Sequence, residues 1–188
     1  KYGWPTHERQ AYRYFVGNGI PKLVERLAPA DQRTPAVLEA ALADFKRDYG
    51  QHLRDTTAPY PGIPEMLAKL KANGVQLAVF SNKADALAKE VVKDYFGTQY
   101  FTIVRGQMTG VAPKPAAEGT NALLQALHAD PASTLYVGDS NVDVETAHNA
   151  NLPCCGAVWG FRTREELNAA GAEYLAENSD ELYDVIMK

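Results

Sequence analysis

The chain has 188 residues, 46% hydrophobic and 22% charged, with a formal net charge of −4. That length suits one compact domain or a core with a small appendage, and the composition supports a buried core and excludes a disordered chain. No apolar run approaches the roughly 20 residues of a membrane-spanning helix, Lys1–Tyr14 is too polar for a signal peptide, and the acidic balance argues against nucleic-acid binding.

The first 58 residues show helical patterning only. Glu8–Val16 stops at the breaker cluster Gly17-Asn18-Gly19, and Ile20, Leu23, Val24 and Leu27 then recur at helical spacing until Pro29. Thr34-Pro35 supplies an N-cap and a first-turn proline for a longer helix through about Tyr49. Residues 1–58 are therefore expected to form a small helical domain. Thr56–Pro61 reads as a linker, and residues 59–188 change rhythm.

Ile63, Met66, Leu67 and Leu70 make one helical face, closed by Asn73-Gly74. Strands are expected at Val75–Phe80, Tyr100–Val104, Thr134–Val137 and Cys154–Val158. Helices are expected at Ala84–Tyr95, Ala116–His128 and Val142–Asn149, with two short ones near Arg164–Ala170 and Asp180–Met187. Short apolar strands alternating with helices of about a dozen residues indicate βαβ units, hence an α/β core with a parallel sheet. Cys154 and Cys155, the only cysteines, are adjacent and cannot staple distant segments. They suit core packing in a reducing, cytoplasmic setting.

In open α/β sheets ligands gather beyond the carboxyl ends of the strands. There the sequence places Ser81-Asn82-Lys83, Pro113-Lys114-Pro115 and Gly138-Asp139-Ser140-Asn141-Val142-Asp143. Singly, Ser81 and Asn82 could cap a helix, Lys114 could be a solvated lysine, and Asp143 could serve the helix dipole. Asp139, directly after a buried strand, costs desolvation unless a positive group faces it. Together they read as a phosphate and divalent-metal site. Asp139 and Asp143 can face one hard cation such as Mg²⁺, Ser81 and nearby N–H groups can cradle phosphoryl oxygens, and Lys114 offsets their charge.

Pro59-Tyr-Pro-Gly-Ile63, Val79-Phe-Ser-Asn-Lys83, Pro113-Lys-Pro115 and Tyr136-Val-Gly-Asp-Ser-Asn-Val-Asp-Val-Glu-Thr-Ala147 together resemble the haloacid dehalogenase-like hydrolase superfamily, in its phosphoglycolate phosphatase-like branch. Phe15-Val-Gly-Asn-Gly19 resembles that branch's helical cap. The resemblance implies a Rossmann-like core with a small cap domain and hydrolysis of a small phosphorylated metabolite through an aspartyl-phosphate. It assigns phosphoryl binding to Ser81, with Asn82 beside it, and phosphoryl stabilisation to Lys114. Mg²⁺ falls to Asp139 with Asp143 in support. Asn18 and Lys22, near the glycine turn of the cap, are the candidates for substrate contact, the alternatives being a turn residue and a solvated lysine.

The family's first motif, Asp-x-Asp-Gly-Thr/Ser, occurs nowhere in the chain, and with it goes the central first strand. The expectation is that this βα element lies upstream and that the chain as written lacks phosphatase activity. The leading reading is a Mg²⁺-dependent phosphatase of small monoesters, 2-phosphoglycolate first. The alternatives are a phosphosugar mutase of the same superfamily and a non-catalytic phosphate- or metal-binding relative. No nucleic acid or membrane partner is expected, and the sequence does not set the oligomeric state.

Overall fold

The computed structural model describes residues 1–188 and divides them into two units, Lys1–Thr57 and Ala58–Lys188. No helix in either is long and apolar enough to cross a membrane.

The first unit contains helices α1 (Arg9–Phe15), α2 (Ile20–Leu27) and α3 (Pro35–Gln51). Thr34 caps α3 by accepting a hydrogen bond from the Val37 N–H, and Pro35 takes the first helical position, where no N–H is needed. Val24, Ala28, Ala41 and Leu53 are buried. Arg26 closes the turn between α1 and α2. Its guanidinium donates to the carbonyls of Tyr14 and Phe15 at 3.1 and 2.9 Å and to Asn18 Oδ1 at 2.9 Å.

The second unit runs α4 (Ile63–Ala72), β1 (Leu77–Ala84), α5 (Asp85–Phe96), β2 (Phe101–Gln107), α6 (Glu118–Leu127), β3 (Tyr136–Gly138), α7 (Asn141–Asn149), β4 (Cys154–Ala157), α8 (Arg164–Ala169), β5 (Tyr174–Ala176) and α9 (Ser179–Ile186). All strand pairs are parallel, as the alternation of strand and helix requires. They fall into two sheets, β1-β2 and β3-β4-β5, so β1 and β3 each keep one edge without a partner.

Burial follows that division. Every residue of β4, paired on both sides, is buried, whereas none of Leu77–Phe80 in β1 is, and Val137 in β3 is 39% exposed. Because side chains alternate along a strand, Cys154 packs into a cluster with Val144, Ala147, Leu152 and Leu167, while Cys155 packs into another with Met66, Leu70, Ala176 and Leu182. The adjacent cysteines thus serve opposite faces of β4. Burial pushes their thiols up to about 12 and about 11, so both stay protonated packing groups.

Three details differ from the expected elements. Ser81, Asn82 and Lys83 belong to β1 rather than to a loop or helix cap, because the strand bulges there: Phe80 pairs with Arg105 and Ala84 with Gln107, so three residues of β1 lie opposite Gly106 alone. Helix α6 starts at Glu118 rather than Ala116. Strand β5, only three residues long, was not anticipated, since Tyr174-Leu175-Ala176 is too short to show a period.

Leu167 is fully buried in the Cys154 cluster. Leu167→Ala is expected to cost about 2–5 kcal/mol through lost burial and a residual cavity. Urea unfolding followed by circular dichroism measures it.

Candidate functional site

Tyr136-Val137-Gly138 delivers Asp139 to the carboxyl end of β3, and the chain turns there into α7. Asp143, in the first turn of α7, reaches back over this turn. Its Oδ2 accepts hydrogen bonds from Ser140 Oγ at 2.6 Å, Ser140 N at 3.1 Å and Asp139 N at 3.2 Å. Its Oδ1 accepts from Lys114 Nζ at 2.6 Å. Both oxygens are therefore occupied by donors of the chain itself. The turn is tight enough that a Cβ at Gly138 would lie 2.1 Å from the Asp143 Cβ, so only glycine fits.

Lys114 comes from the irregular segment between β2 and α6. Its side chain and that of Asp143 are only 11% and 9% exposed. Burial pulls the ammonium's pKa down, but the Asp143 carboxylate more than offsets this, and the net direction is upward. Lys114 Nζ also lies 6.0 Å from the Phe80 ring centre on β1 and 5.9 Å from that of Tyr136 on β3. One ammonium thus lies close to an aromatic ring from each of the two sheets. The Tyr136 hydroxyl is buried beside it, and burial pushes it up to about 12.

Asp139 is placed differently. Its Oδ2 accepts from the Phe161 N–H at 3.1 Å, in the loop after β4, and the charges of Lys114 and Arg162 act on it less strongly than burial and Asp143 do. Gly160 in that loop packs so closely that a Cβ there would lie 2.1 Å from the Asp139 Cβ. Burial, then the neighbouring Asp143 charge, raise the Asp139 pKa, and the Phe161 N–H only partly opposes them. A half-buried carboxylate next to a second carboxylate is a place where added positive charge is stabilising. Nowhere does the chain gather three or more His, Cys, Asp or Glu side chains for a metal. Mg²⁺ fits such a site, since it typically takes one or two protein carboxylates and fills its remaining positions with water and phosphate oxygens. Asp139 is the carboxylate with coordinating capacity left, and Asp143 backs it.

Hydrogen bonds link Asn82, Lys114, Asp143 and, through its backbone, Asp139. Ser81 precedes Asn82 in the β1 bulge, where its Oγ accepts from the Lys83 N–H at 3.1 Å. Asn18 and Lys22 lie in the helical unit. Asn18 is held by Arg26, and Lys22 pairs with Glu25 at 2.8 Å. Sequence reasoning missed Phe80, Tyr136 and Phe161. For Phe161 a signal existed, because the carboxyl-end rule that singled out the loop after β3 applies equally to the loop after β4.

The sequence model of the haloacid dehalogenase-like hydrolase family matches residues 1–157. The chain is similar to a phosphoglycolate phosphatase of Mesorhizobium japonicum, 30% identical over 159 residues, covering 84% of this chain and 70% of that protein. It is also similar to a phosphoglycolate phosphatase of Neisseria meningitidis, 33% identical over 150 residues, covering 78% of this chain and 64% of that protein. The chain thus spans about two thirds of the length of these relatives. A hydrolase of the haloacid dehalogenase-like family from Streptococcus pneumoniae shares the fold, with a TM-score of 0.84 at 19% identity, covering 96% of this chain and 82% of that one.

The raised pKa of Asp139 makes the native state bind a proton more readily than the unfolded chain, so its ionisation opposes folding. Stability is expected to fall as pH rises above the ordinary carboxylate value of about 4. In metal-free buffer Asp139→Asn should therefore be more stable than the parent at pH 7, and the gap should close toward pH 3. Thermal melts across that range check it.

Proposed function

The chain belongs to the haloacid dehalogenase-like hydrolase family, and on that footing we propose a Mg²⁺-dependent phosphatase of small phosphate monoesters, with 2-phosphoglycolate as the leading substrate. The observation that carries this reading is the pairing of an anchored ammonium with an unneutralised carboxylate at the carboxyl ends of parallel strands. Lys114, fixed by Asp143, supplies positive charge for phosphoryl oxygens, and Asp139 supplies the ligand for a hard cation. Similarity to the two phosphoglycolate phosphatases supports the substrate class.

In this reading Ser81 donates its O–H to a phosphoryl oxygen. Lys114 holds its ammonium against the charge that grows on those oxygens during transfer. Ser140 and the Asp139 N–H keep Asp143 turned toward Lys114. Bound at Asp139, Mg²⁺ would supply Lewis-acid polarisation of the phosphoryl group. The nucleophilic carboxylate comes from a strand outside Lys1–Lys188 that lies between β1 and β3. Supporting this are the unpartnered edges of both strands, their half-exposed apolar residues, and the approach of Lys114 Nζ to within 6.0 Å of the Phe80 ring and 5.9 Å of the Tyr136 ring. An aspartyl-phosphate would form on that carboxylate and be hydrolysed in a second step.

Phosphate release from 2-phosphoglycolate is the test. The 188-residue chain alone should release none. Purified from its own cells, the protein should release phosphate with Mg²⁺ and stop on chelation. In that protein Lys114→Ala should lower turnover by about 10²–10³-fold, the scale of losing one electrostatic stabiliser of the transition state. Undiminished turnover in Lys114→Ala, or after chelation, would overturn the reading.

A further inference from the structure

Lys114 lies in the triplet Pro113-Lys114-Pro115. Proline has no N–H, so Lys114 carries the only backbone donor of the three residues. That donor and the Lys114 carbonyl both meet one side chain. Asn82 Oδ1 accepts from Lys114 N at 2.8 Å, and Asn82 Nδ2 donates to Lys114 O at 3.2 Å. Asn82 is 9% exposed, so this exchange takes place away from solvent. A donor and an acceptor on one residue meet an acceptor and a donor on the other, the two-bond exchange that a neighbouring strand would make in a ladder.

Around it the segment's other carbonyls are also satisfied. Pro113 O accepts from Ala116 N at 3.0 Å, and Pro115 O accepts from Asn149 Nδ2 at 2.8 Å. We propose that Asn82 is a positioning residue whose carboxamide fixes the backbone of Lys114, so that the ammonium reaches Asp143 and faces the phosphoryl group. The proposal rests on the reading of Lys114 given above, but concerns a different link, from β1 to the lysine's Cα.

Three features favour this role over direct phosphate contact. Both polar atoms of the Asn82 side chain are engaged with Lys114's backbone. The β1 bulge over residues 81–83 brings Asn82 to that segment. A lysine side chain has four rotatable bonds, so an ion pair at its tip does not by itself fix its root. Asn82 and Asp143 hold the residue from opposite ends.

The test uses the 188-residue chain and two readouts. Acetic anhydride labelling at one fixed pH, resolved by peptide mass spectrometry, reports access to each lysine amine. Asn82→Ala should raise the Lys114 rate by about tenfold, on the scale of two lost hydrogen bonds, while exposed Lys71 and Lys93 keep theirs. An unchanged Lys114 rate overturns the proposal, and so does a uniform rise across all three lysines, which would signal general loosening. Asn82→Asp retains volume and the acceptor for the Lys114 N–H but loses the donor to its carbonyl. It should fall between parent and alanine, and it serves as the decisive variant if Asn82→Ala does not fold.

The second readout is inorganic phosphate binding by calorimetry in a double-mutant cycle. Asn82→Ala should weaken binding in the parent and have no further effect on Lys114→Ala, because its action runs through that lysine. Additive losses would overturn positioning and point to direct contact. Should the parent bind no phosphate, the phosphatase reading of this chain fails, and the labelling result still decides what Asn82 does.

Discussion

A single buried ion pair organises the site. Taking an ammonium and a carboxylate out of water is costly, and their attraction repays that cost only where further hydrogen bonds complete the pair. Asp143 meets the condition with three more donors, all from the turn between β3 and α7. Lys114 meets it at its backbone through Asn82. The pair therefore connects a bulge in β1, a proline-bounded segment and the start of α7. Asp139 gains its place as a by-product, since its own N–H is one of the donors that Asp143 collects.

The two carboxylates are four residues apart and chemically alike, yet the fold gives them different work. Asp143 is encircled by donors and has no oxygen left over. Asp139 keeps one oxygen largely to itself, beside a like charge, under a loop that supplies a single N–H. The same division appears between the strands. β4, flanked on both sides, is sealed from solvent, whereas β1 and β3 retain surfaces whose composition suits burial. An apolar strand half open to water in a parallel sheet is an unfinished arrangement, because parallel sheets are ordinarily covered on both faces and paired along both edges.

Much of this was legible in the sequence because it depends on period and punctuation. Strand–helix alternation after residue 59 predicts parallel strands, and the carboxyl-end rule picks out Asp139, Asp143, Lys114 and Ser81 from their positions along the chain. Other features depend on long-range fit. Asn82 follows Ser81 and reads as a cap or a ligand, and only the pairing of residues 80–84 against 105–107 turns it toward Lys114. Tyr136 reads as an ordinary strand aromatic until its hydroxyl is seen buried beside the ammonium. The resemblance separates Asp139 as the metal ligand from Asp143 as its support, but the physical basis of that difference, the number of donors around each, is a property of the turn. Asn18 and Lys22 were chosen for proximity to a glycine turn, and their partners Arg26 and Glu25 lie only eight and three residues further on.

Gly138 and Gly160 bear on how sequence variation in this chain should be interpreted. Neither offers a side chain to any ligand, yet each lies where a single methyl group would drive into a carboxylate-bearing residue, Asp143 in one case and Asp139 in the other. An alanine at either position would displace a carboxylate without altering any polar group. A genetic screen for lost function would recover such alleles alongside true active-site changes. Their phenotypes would then report the steric clearance around two aspartates rather than a chemical role for glycine.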